Sequence, residues 1–304
     1  MQQALDAIVT KNRPLTSLGR VASYIPELAN SNPNALGVAV VTADGQVFQA
    51  GDYHVRFTLQ SVSKVFALML ALQDRGFDGV FSRIGMEPTG DAFNSLIKLE
   101  NFASLRPLNP LINAGAIATT ALIEGASVEE RFQRLYSFIE SMAGPGHLGF
   151  NERVYASEKA TGDRNRAIAY FLRDIHAVHG DVTEILDLYF RQCSIEIDVL
   201  GLATLGRRLA LGPEVEPVIP EAVLRIVRTF MYTCGMYDAS GEFAIKVGIP
   251  AKSGVSGDIM AVAPGKMGIG VIAPALDKKG NSQAGVQLLA DLSELHNLAV
   301  FAQQ

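Results

Sequence analysis

Apolar positions recur along the first part of the chain in two different periods, and each period predicts a different element. Leu18, Val21, Ala22, Ile25 and Leu28 recur at helical spacing, so a helix is expected over residues 15–29. The run Ala35-Leu36-Gly37-Val38-Ala39-Val40-Val41 is apolar almost throughout and reads as a buried strand. Asp44-Gly45 supplies a tight turn and residues 46–50 a second strand, which together signal a hairpin. Phe57-Thr58-Leu59-Gln60 is short and extended, and Ser61 then opens a strongly apolar helix to residue 73.

Residues 75–232 carry mostly helical pattern, with stripes at 113–124, 127–142, 164–177, 182–191 and 196–210 separated by Gly, Pro and Asp. Strand-like runs return at 242–248, 259–263 and 267–273. A final amphipathic helix is expected over 282–296, with Val286, Leu289, Leu292 and Leu295 on one face. No internal repeat, low-complexity stretch or linker stands out. Strands at both ends with helices between them predict an α+β fold. The expected arrangement is a discontinuous sheet domain from residues 1–74 and 235–304, mostly antiparallel with flanking helices. Residues 75–234 would form a helical lobe, with a catalytic groove between the two.

Composition narrows the function classes. Of 304 residues, 48% are hydrophobic and 19% charged, so a large core is expected and disorder is not. A net charge of −5 with no basic run argues against nucleic-acid or membrane-surface binding. Met1-Gln2-Gln3-Ala4-Leu5-Asp6 lacks the regions of a signal peptide, and the apolar run 65–72 is too short to span a bilayer. Two cysteines, Cys193 and Cys234, make no disulfide framework or metal pair and read as reduced thiols. A cytoplasmic protein is expected.

Candidate chemistry centres on Ser-x-x-Lys, which occurs at Ser61–Lys64 and Ser95–Lys98. Context separates them. Ser61 sits where an extended segment becomes a helix, so its N–H is a free donor and the helix start favours negative charge. Lys64 falls three residues on, among Val65, Phe66, Leu68, Met69 and Leu72, a dry wall that disfavours the charged ammonium. Ser95–Lys98 has no such setting and is assigned to the surface. The bland alternative for Ser61 is a helix cap with Lys64 solvated. That alternative weakens when Lys252-Ser253-Gly254 is added, because Ser-x-x-Lys with a late Lys-Ser-Gly strand is the pairing of penicillin-recognising serine enzymes. An edge strand there can offer an N–H opposite that of Ser61 and so form an oxyanion hole.

Further motifs carry a resemblance. They are Gln60-Ser61-Val62-Ser63-Lys64, residues 109–117 (Asn-Pro-Leu-Ile-Asn-Ala-Gly-Ala-Ile), Ser157-Glu158 with Thr161-Gly162-Asp163-Arg164-Asn165, and Tyr189 before Cys193-Ser194-Ile195-Glu196. Cys234-Gly235-Met236-Tyr237-Asp238 and residues 250–257 (Pro-Ala-Lys-Ser-Gly-Val-Ser-Gly) complete the set. From Tyr24 to His296, in order, the chain resembles the serine-dependent glutaminases of bacteria and mitochondria, which have a β-lactamase/transpeptidase-like fold.

The resemblance implies hydrolysis of L-glutamine to L-glutamate and ammonia, without cofactor or metal. Ser61 would be the nucleophile, Lys64 its base, and the N–H groups of Ser61 and Val255 the oxyanion donors, with Tyr237 relaying a proton. Tyr24, Asn113, Glu158, Asn165 and Tyr189 would hold the amino-acid head, and Lys252, Ser253 and Gly254 would support the site. Taken alone, Asn113 could equally be a helix cap, as could Asn165 or Asp163 for the next helix, Tyr189 and Tyr237 core tyrosines, and Glu158 a solvated surface carboxylate. A homotetramer is implied by resemblance only. One departure is informative: Tyr189 is followed by Phe190 and Arg191, so the Ser/Tyr-x-Asn element of β-lactam enzymes is missing and β-lactam hydrolysis is not expected. Two other readings remain, a related serine hydrolase of another amide or ester and a non-catalytic amino-acid sensor.

Overall fold

The glycines of Met267-Gly268-Ile269-Gly270-Val271 organise the centre of the molecule, because they leave one face of a strand without side chains. In the computed structural model, which describes residues 1–90, 106–214 and 219–302, this segment is β8 (Met267–Ile272). It pairs antiparallel with β1 (Gly37–Thr42) on one side and β7 (Asp258–Ala263) on the other. The hairpin partner β2 (Val47–Gly51) and the short β6 (Ala251–Ser253) complete a sheet of order β2-β1-β8-β7-β6. Both chain ends therefore build it, and β6, which carries Lys252 and Ser253, is an edge strand as expected.

The two faces of the sheet receive different partners. Helix α8 (Val199–Leu211) lies on the glycine face. A Cβ at Gly268 would sit 2.0 Å from the Arg207 nitrogen and 2.2 Å from the Ala203 oxygen. Gly268→Ala is therefore expected to destabilise by about 3 kcal/mol or more, since backbone cannot yield as a side chain can. Gly241→Ala, where nothing lies within 4 Å, should be neutral or mildly stabilising. Paired denaturation curves check both. On the opposite face, Val38, Val40, Ile259 and Ile269 pack against Leu5 and Ile8 of α1 (Gln2–Asn12) and Leu288 and Leu292 of α11 (Gln283–His296).

A larger core lies beside the sheet, around α2 (Ser63–Phe81), whose residues 63–72 are all buried. Packed into it are α3 (Asn113–Thr120), α4 (Val128–Ala143), α6 (Asp163–Asp174), α7 (Val182–Cys193) and α9 (Glu221–Cys234). Helix α5 (Glu152–Thr161) docks on α7, and α10 (Ser240–Lys246) follows α9. A small second sheet of order β3-β5-β4 uses β3 (Phe57–Thr58), β4 (Gly149–Phe150) and β5 (Ile195–Ile197). It ties the segment before Ser61 to the chain after α7, and Leu59 N–H extends the tie to the Ile195 carbonyl at 2.8 Å. Among the described residues no helix is long and apolar enough to cross a membrane. Cys193 and Cys234 are both buried free thiols.

Several sequence expectations need correction. Residues 15–29 are not an α-helix but two 3₁₀ turns, Arg13–Leu18 and Pro26–Asn30, with an extended link between them. Arg20 in that link exchanges backbone hydrogen bonds of 2.9 Å with Leu276. Gly19 permits the approach, because a Cβ there would meet the Ala275 carbonyl carbon at 2.6 Å. The helical spacing has another use: Ala22, Ile25 and Leu28 form a small cluster with Val154, Tyr237, Val255 and Leu276. Residues 242–248 are not a strand, since α10 covers most of them and Ile245 points to solvent. The Glu242–Lys246 ion pair at helical spacing was the sequence signal for it.

Residues 195–197 form a strand before α8 begins, and α2 continues past residue 73 through a break at Gly76 (φ 68°). Leu295 is largely exposed, so the buried face of α11 is set by Ala284, Leu288, Leu289 and Leu292. Ser95 and Lys98 lie outside the described residues.

Candidate active site

Ser61 does not begin the α-helix itself. It lies in the 3₁₀ turn Gln60–Val62, two residues before α2, with Gln60 held at φ 42°. That conformation is unfavourable for a residue with a Cβ and persists only where its surroundings over-determine it. Here Ser63 Oγ donates to the Gln60 carbonyl at 2.7 Å and Val62 N–H to the Leu59 carbonyl at 2.8 Å. The Ser61 N–H makes no hydrogen bond within the described residues, so the donor expected from sequence is free.

Lys64 enters α2 fully buried. Its Nζ donates to Asn113 Oδ1 at 2.7 Å and to the Leu111 carbonyl at 3.3 Å. Asn113 in turn donates from Nδ2 to Asn165 Oδ1 at 3.0 Å, joining α2, α3 and α6 in one chain of contacts. Neither asparagine caps its helix, so the capping alternative fails for both. Asn109 shapes the turn ahead of Asn113, its Oδ1 accepting from the N–H groups of Leu111 (3.0 Å) and Ile112 (3.2 Å). Gly115 leaves room for the Asn109 carbonyl, which would stand 1.8 Å from any Cβ. Burial pushes the Lys64 pKa down to about 8, against the opposing pull of Glu158.

Glu158, on α5, is also buried, and desolvation pushes its carboxyl up to about 8 despite Lys64 and a hydrogen bond with Gln60. Its Oε2 has no hydrogen-bond partner among the described residues. An ion-pair clamp holds α5 to α7: Asp187 accepts from Tyr155 and Lys159 at 2.5 Å each and from Arg191 at 2.9 Å. Across that clamp Tyr189 is buried on α7, its pKa raised chiefly by burial, with Cys193 and Glu158 as neighbours. Burial likewise raises the Cys193 thiol, which keeps it protonated. Tyr24 is 52% exposed at the edge of the site, within electrostatic reach of Glu158 and Tyr237.

The sheet supplies the remaining side. Tyr237 sits at φ 55° in a 3₁₀ turn after α9, buried, its hydroxyl donating to the Ser253 carbonyl at 3.0 Å. Ser61 hydrogen-bonds the same phenol. Since the phenol proton points to Ser253, Ser61 Oγ–H is the donor in that contact. Burial raises the Tyr237 pKa, so the phenol stays protonated. Lys252, fully buried, donates to the carbonyls of Gly235 (3.0 Å) and Ser253 (2.7 Å) and stands 4.3 Å from the Tyr237 ring centre. Its pKa falls through burial first and the Lys64 charge second.

The β6–β7 loop carries Val255, which packs with Tyr237 in a small apolar cluster. Gly254 is needed there because Asp258 Oδ1 would lie 2.1 Å from a Cβ. Ser256 Oγ approaches the Thr58 carbonyl at 2.6 Å and Asp258 Oδ1 at 2.7 Å, tying the loop to the segment that leads into Ser61. One hydroxyl proton cannot serve both acceptors, so the arrangement is complete when Asp258 itself carries a proton. Burial raises that carboxyl to about 7. The Val255 N–H, like that of Ser61, makes no hydrogen bond within the described residues. A cleft of about 820 Å³ opens beside the site, lined by Tyr24, Asp238 and Val255 among others but not by the buried Ser61, Lys64 or Glu158.

All twelve side chains and loop positions singled out from sequence are thus accounted for around one region. Gln60, Ser256, Asp258 and Asn281 were not singled out. Gln60 and Ser256 lie within quoted motifs and Asp258 adjoins one, but their roles depend on contacts across the chain.

Comparison with known proteins agrees. The Glutaminase family model matches residues 19–301. A glutaminase of Clostridioides difficile is 54% identical over 98% of this chain and 97% of its own length. Glutaminase 2 of Clostridium perfringens is 51% identical over 99% and 100%. Among solved structures, the probable glutaminase ybaS superposes with a TM-score of 0.93 at 43% identity, covering 99% of this chain and 97% of its own. A probable glutaminase from Bacillus subtilis complexed with 6-diazo-5-oxo-L-norleucine gives 0.90 at 38%, with coverage of 99% and 97%. The neighbours have the β-lactamase-like fold, which is the α+β arrangement described above. The chain belongs to the glutaminase family.

Proposed function

We propose that the chain hydrolyses the side-chain amide of L-glutamine through an acyl-serine intermediate. The observation that carries this is a buried Lys64, its pKa lowered to about 8, three residues from a serine flanked by free N–H donors. Ser61 gives its proton to neutral Lys64, and Oγ bonds to the amide carbon. The oxyanion is held by the N–H groups of Ser61 and Val255. Collapse expels ammonia, which takes the proton held on Lys64 by way of Tyr237; its raised pKa keeps the phenol protonated, so it relays a proton and is not the primary base. Water, deprotonated in the same way, cleaves the ester to release L-glutamate. The Bacillus subtilis relative's ligand, by its name an amino acid with a ketone at the position of the glutamine amide carbon, supports this substrate class. A homotetramer goes with this reading on the family resemblance, and a cytoplasmic location is part of the proposal.

The amino-acid head fits the polar side of the site. Glu158 Oε2 is a buried acceptor suited to an α-ammonium, and the second amide N–H of Asn113, with Asn165, Tyr24 and Tyr189, suits the α-carboxylate. Glu158→Gln should raise KM by about ten- to hundredfold with a smaller change in kcat, the effect of losing one charged hydrogen bond. Steady-state kinetics check it, and an unchanged KM would remove Glu158 from the head-group role. Ammonia release from glutamine by the purified protein tests the function itself and separates it from a non-catalytic sensor.

A further inference from the structure

Asn281 lies in a turn far from Ser61 in sequence, yet it closes a circuit of hydrogen bonds around Tyr237. Ser253 Oγ donates to Asn281 Oδ1 at 2.7 Å, and Asn281 Nδ2 donates to the Met236 carbonyl at 3.2 Å. Met236 is bonded to Tyr237, whose hydroxyl returns to the Ser253 carbonyl at 3.0 Å. Asn281, Ser253 and Tyr237 are all buried. Only a group that accepts and donates at once completes the circuit, and a side-chain amide does so at this length.

The geometry around Tyr237 needs such support. Its φ of 55° is unfavourable for a residue with a Cβ, so the peptide on either side must be held. Ser240 Oγ holds the near side, accepting from Met236 N–H at 3.0 Å and donating to the Tyr237 carbonyl at 2.8 Å. Asn281 holds the Met236 carbonyl from across the fold. Its own position is set by the turn before α11, where Asp277 Oδ1 accepts from Asn281 N–H at 3.0 Å and Asp277 N–H donates to the Asn281 carbonyl at 2.8 Å.

We propose that Asn281 is a positioning residue for amide hydrolysis, holding the Tyr237 phenol on Ser61 by anchoring the Met236 carbonyl and the Ser253 hydroxyl together. It touches no reacting atom, and it rests on the reading of Tyr237 as the proton relay. Removing it frees the Met236–Tyr237 peptide to relax, which moves the phenol while the head-group residues stay in place. Small displacements of a reacting group are costly.

The test is steady-state kinetics on Asn281→Ala, Asn281→Asp, Tyr237→Phe and the double variant Asn281→Ala/Tyr237→Phe, with folding checked by circular dichroism. Asn281→Ala should lower kcat by about ten- to hundredfold with KM within about threefold. Asn281→Asp, nearly isosteric but unable to donate to Met236 when ionised, should show the same split and carries the test if the alanine variant does not fold. In the Tyr237→Phe background the alanine change should cost no more than about twofold, because its effect passes through the lost hydroxyl. Folded single variants with kcat within about threefold of the parent, beside a crippled Tyr237→Phe, would overturn the positioning role and leave the Tyr237 reading standing. An equal loss in both backgrounds would overturn it too. A fully active Tyr237→Phe is a separate result, which removes the relay reading and the positioning role with it.

Discussion

Replacing Ser61 with alanine is expected to lower ammonia release by more than about 10⁴-fold while glutamine still binds, since no neighbouring group can replace a lost nucleophile. The two halves of this expectation come from different parts of the structure. Ser61 Oγ is held by the Tyr237 phenol, on the sheet side of the site. The groups suited to the amino-acid head, Glu158, Asn165 and Tyr189, come from α5, α6 and α7 on the other side. The substitution removes one oxygen from a buried turn whose backbone is fixed by Ser63 and Leu59, so that turn should persist. Calorimetric titration with glutamine, beside an ammonia assay, reads both halves. Substantial turnover by the variant would sink the acyl-serine mechanism, and loss of binding would mean that Ser61 also holds the head.

How far this site could be read from sequence depended on whether its contacts are local. Ser61 and Lys64 share one apolar segment, so the burial of both and the lowered lysine pKa follow from spacing and neighbours. Lys252-Ser253 sits on an edge strand, as a late strand motif should. Glu158, Asn165 and Tyr189 were legible only through resemblance, because three separate helices bring them together. Nothing local predicts that α5 buries a glutamate, since the cause is the clamp from Asp187 on α7. Asn281 was missed for the same reason: Gly280-Asn281-Ser282 reads as a turn, and its amide works on Met236, 45 residues away.

The errors in the fold have a related origin. Leu18, Val21, Ala22, Ile25 and Leu28 do have helical spacing, but Pro14, Gly19 and Pro26 interrupt the backbone, and pairing with Leu276 outcompetes a helix. Three of those apolar residues instead cover Tyr237 and Val255. At 242–248 the buried Phe243 and Val247 are four apart, a helical interval that the short run also allowed to be read as a strand. The central sheet, by contrast, was legible because its strands are apolar runs bounded by turn residues.

The pH dependence separates Lys64 from its alternatives. Ordinary lysine is almost wholly charged at neutral pH, but burial lowers Lys64 to about 8, so about a tenth is neutral at pH 7. The base is the neutral form, so kcat should rise with pH through about 8 and then level. Glu158 points the same way for a different reason. Its carboxyl, raised to about 8, is largely protonated in the free enzyme at neutral pH and must ionise to pair with the substrate ammonium. In the complex the ammonium keeps it ionised. Below about pH 8, log kcat should therefore climb with a slope near 1, whereas log kcat/KM, which reports the free enzyme, approaches a slope near 2. The alkaline fall belongs to the substrate ammonium, because burial carries Tyr237 above its ordinary range. Lys64→Arg should lose about 10²–10⁴-fold in kcat, since a guanidinium does not deprotonate here. A flat kcat from about pH 6 to about pH 9, or an active arginine variant, would show that another group activates Ser61. Tyr237, already hydrogen-bonded to the serine, would then be the first to replace.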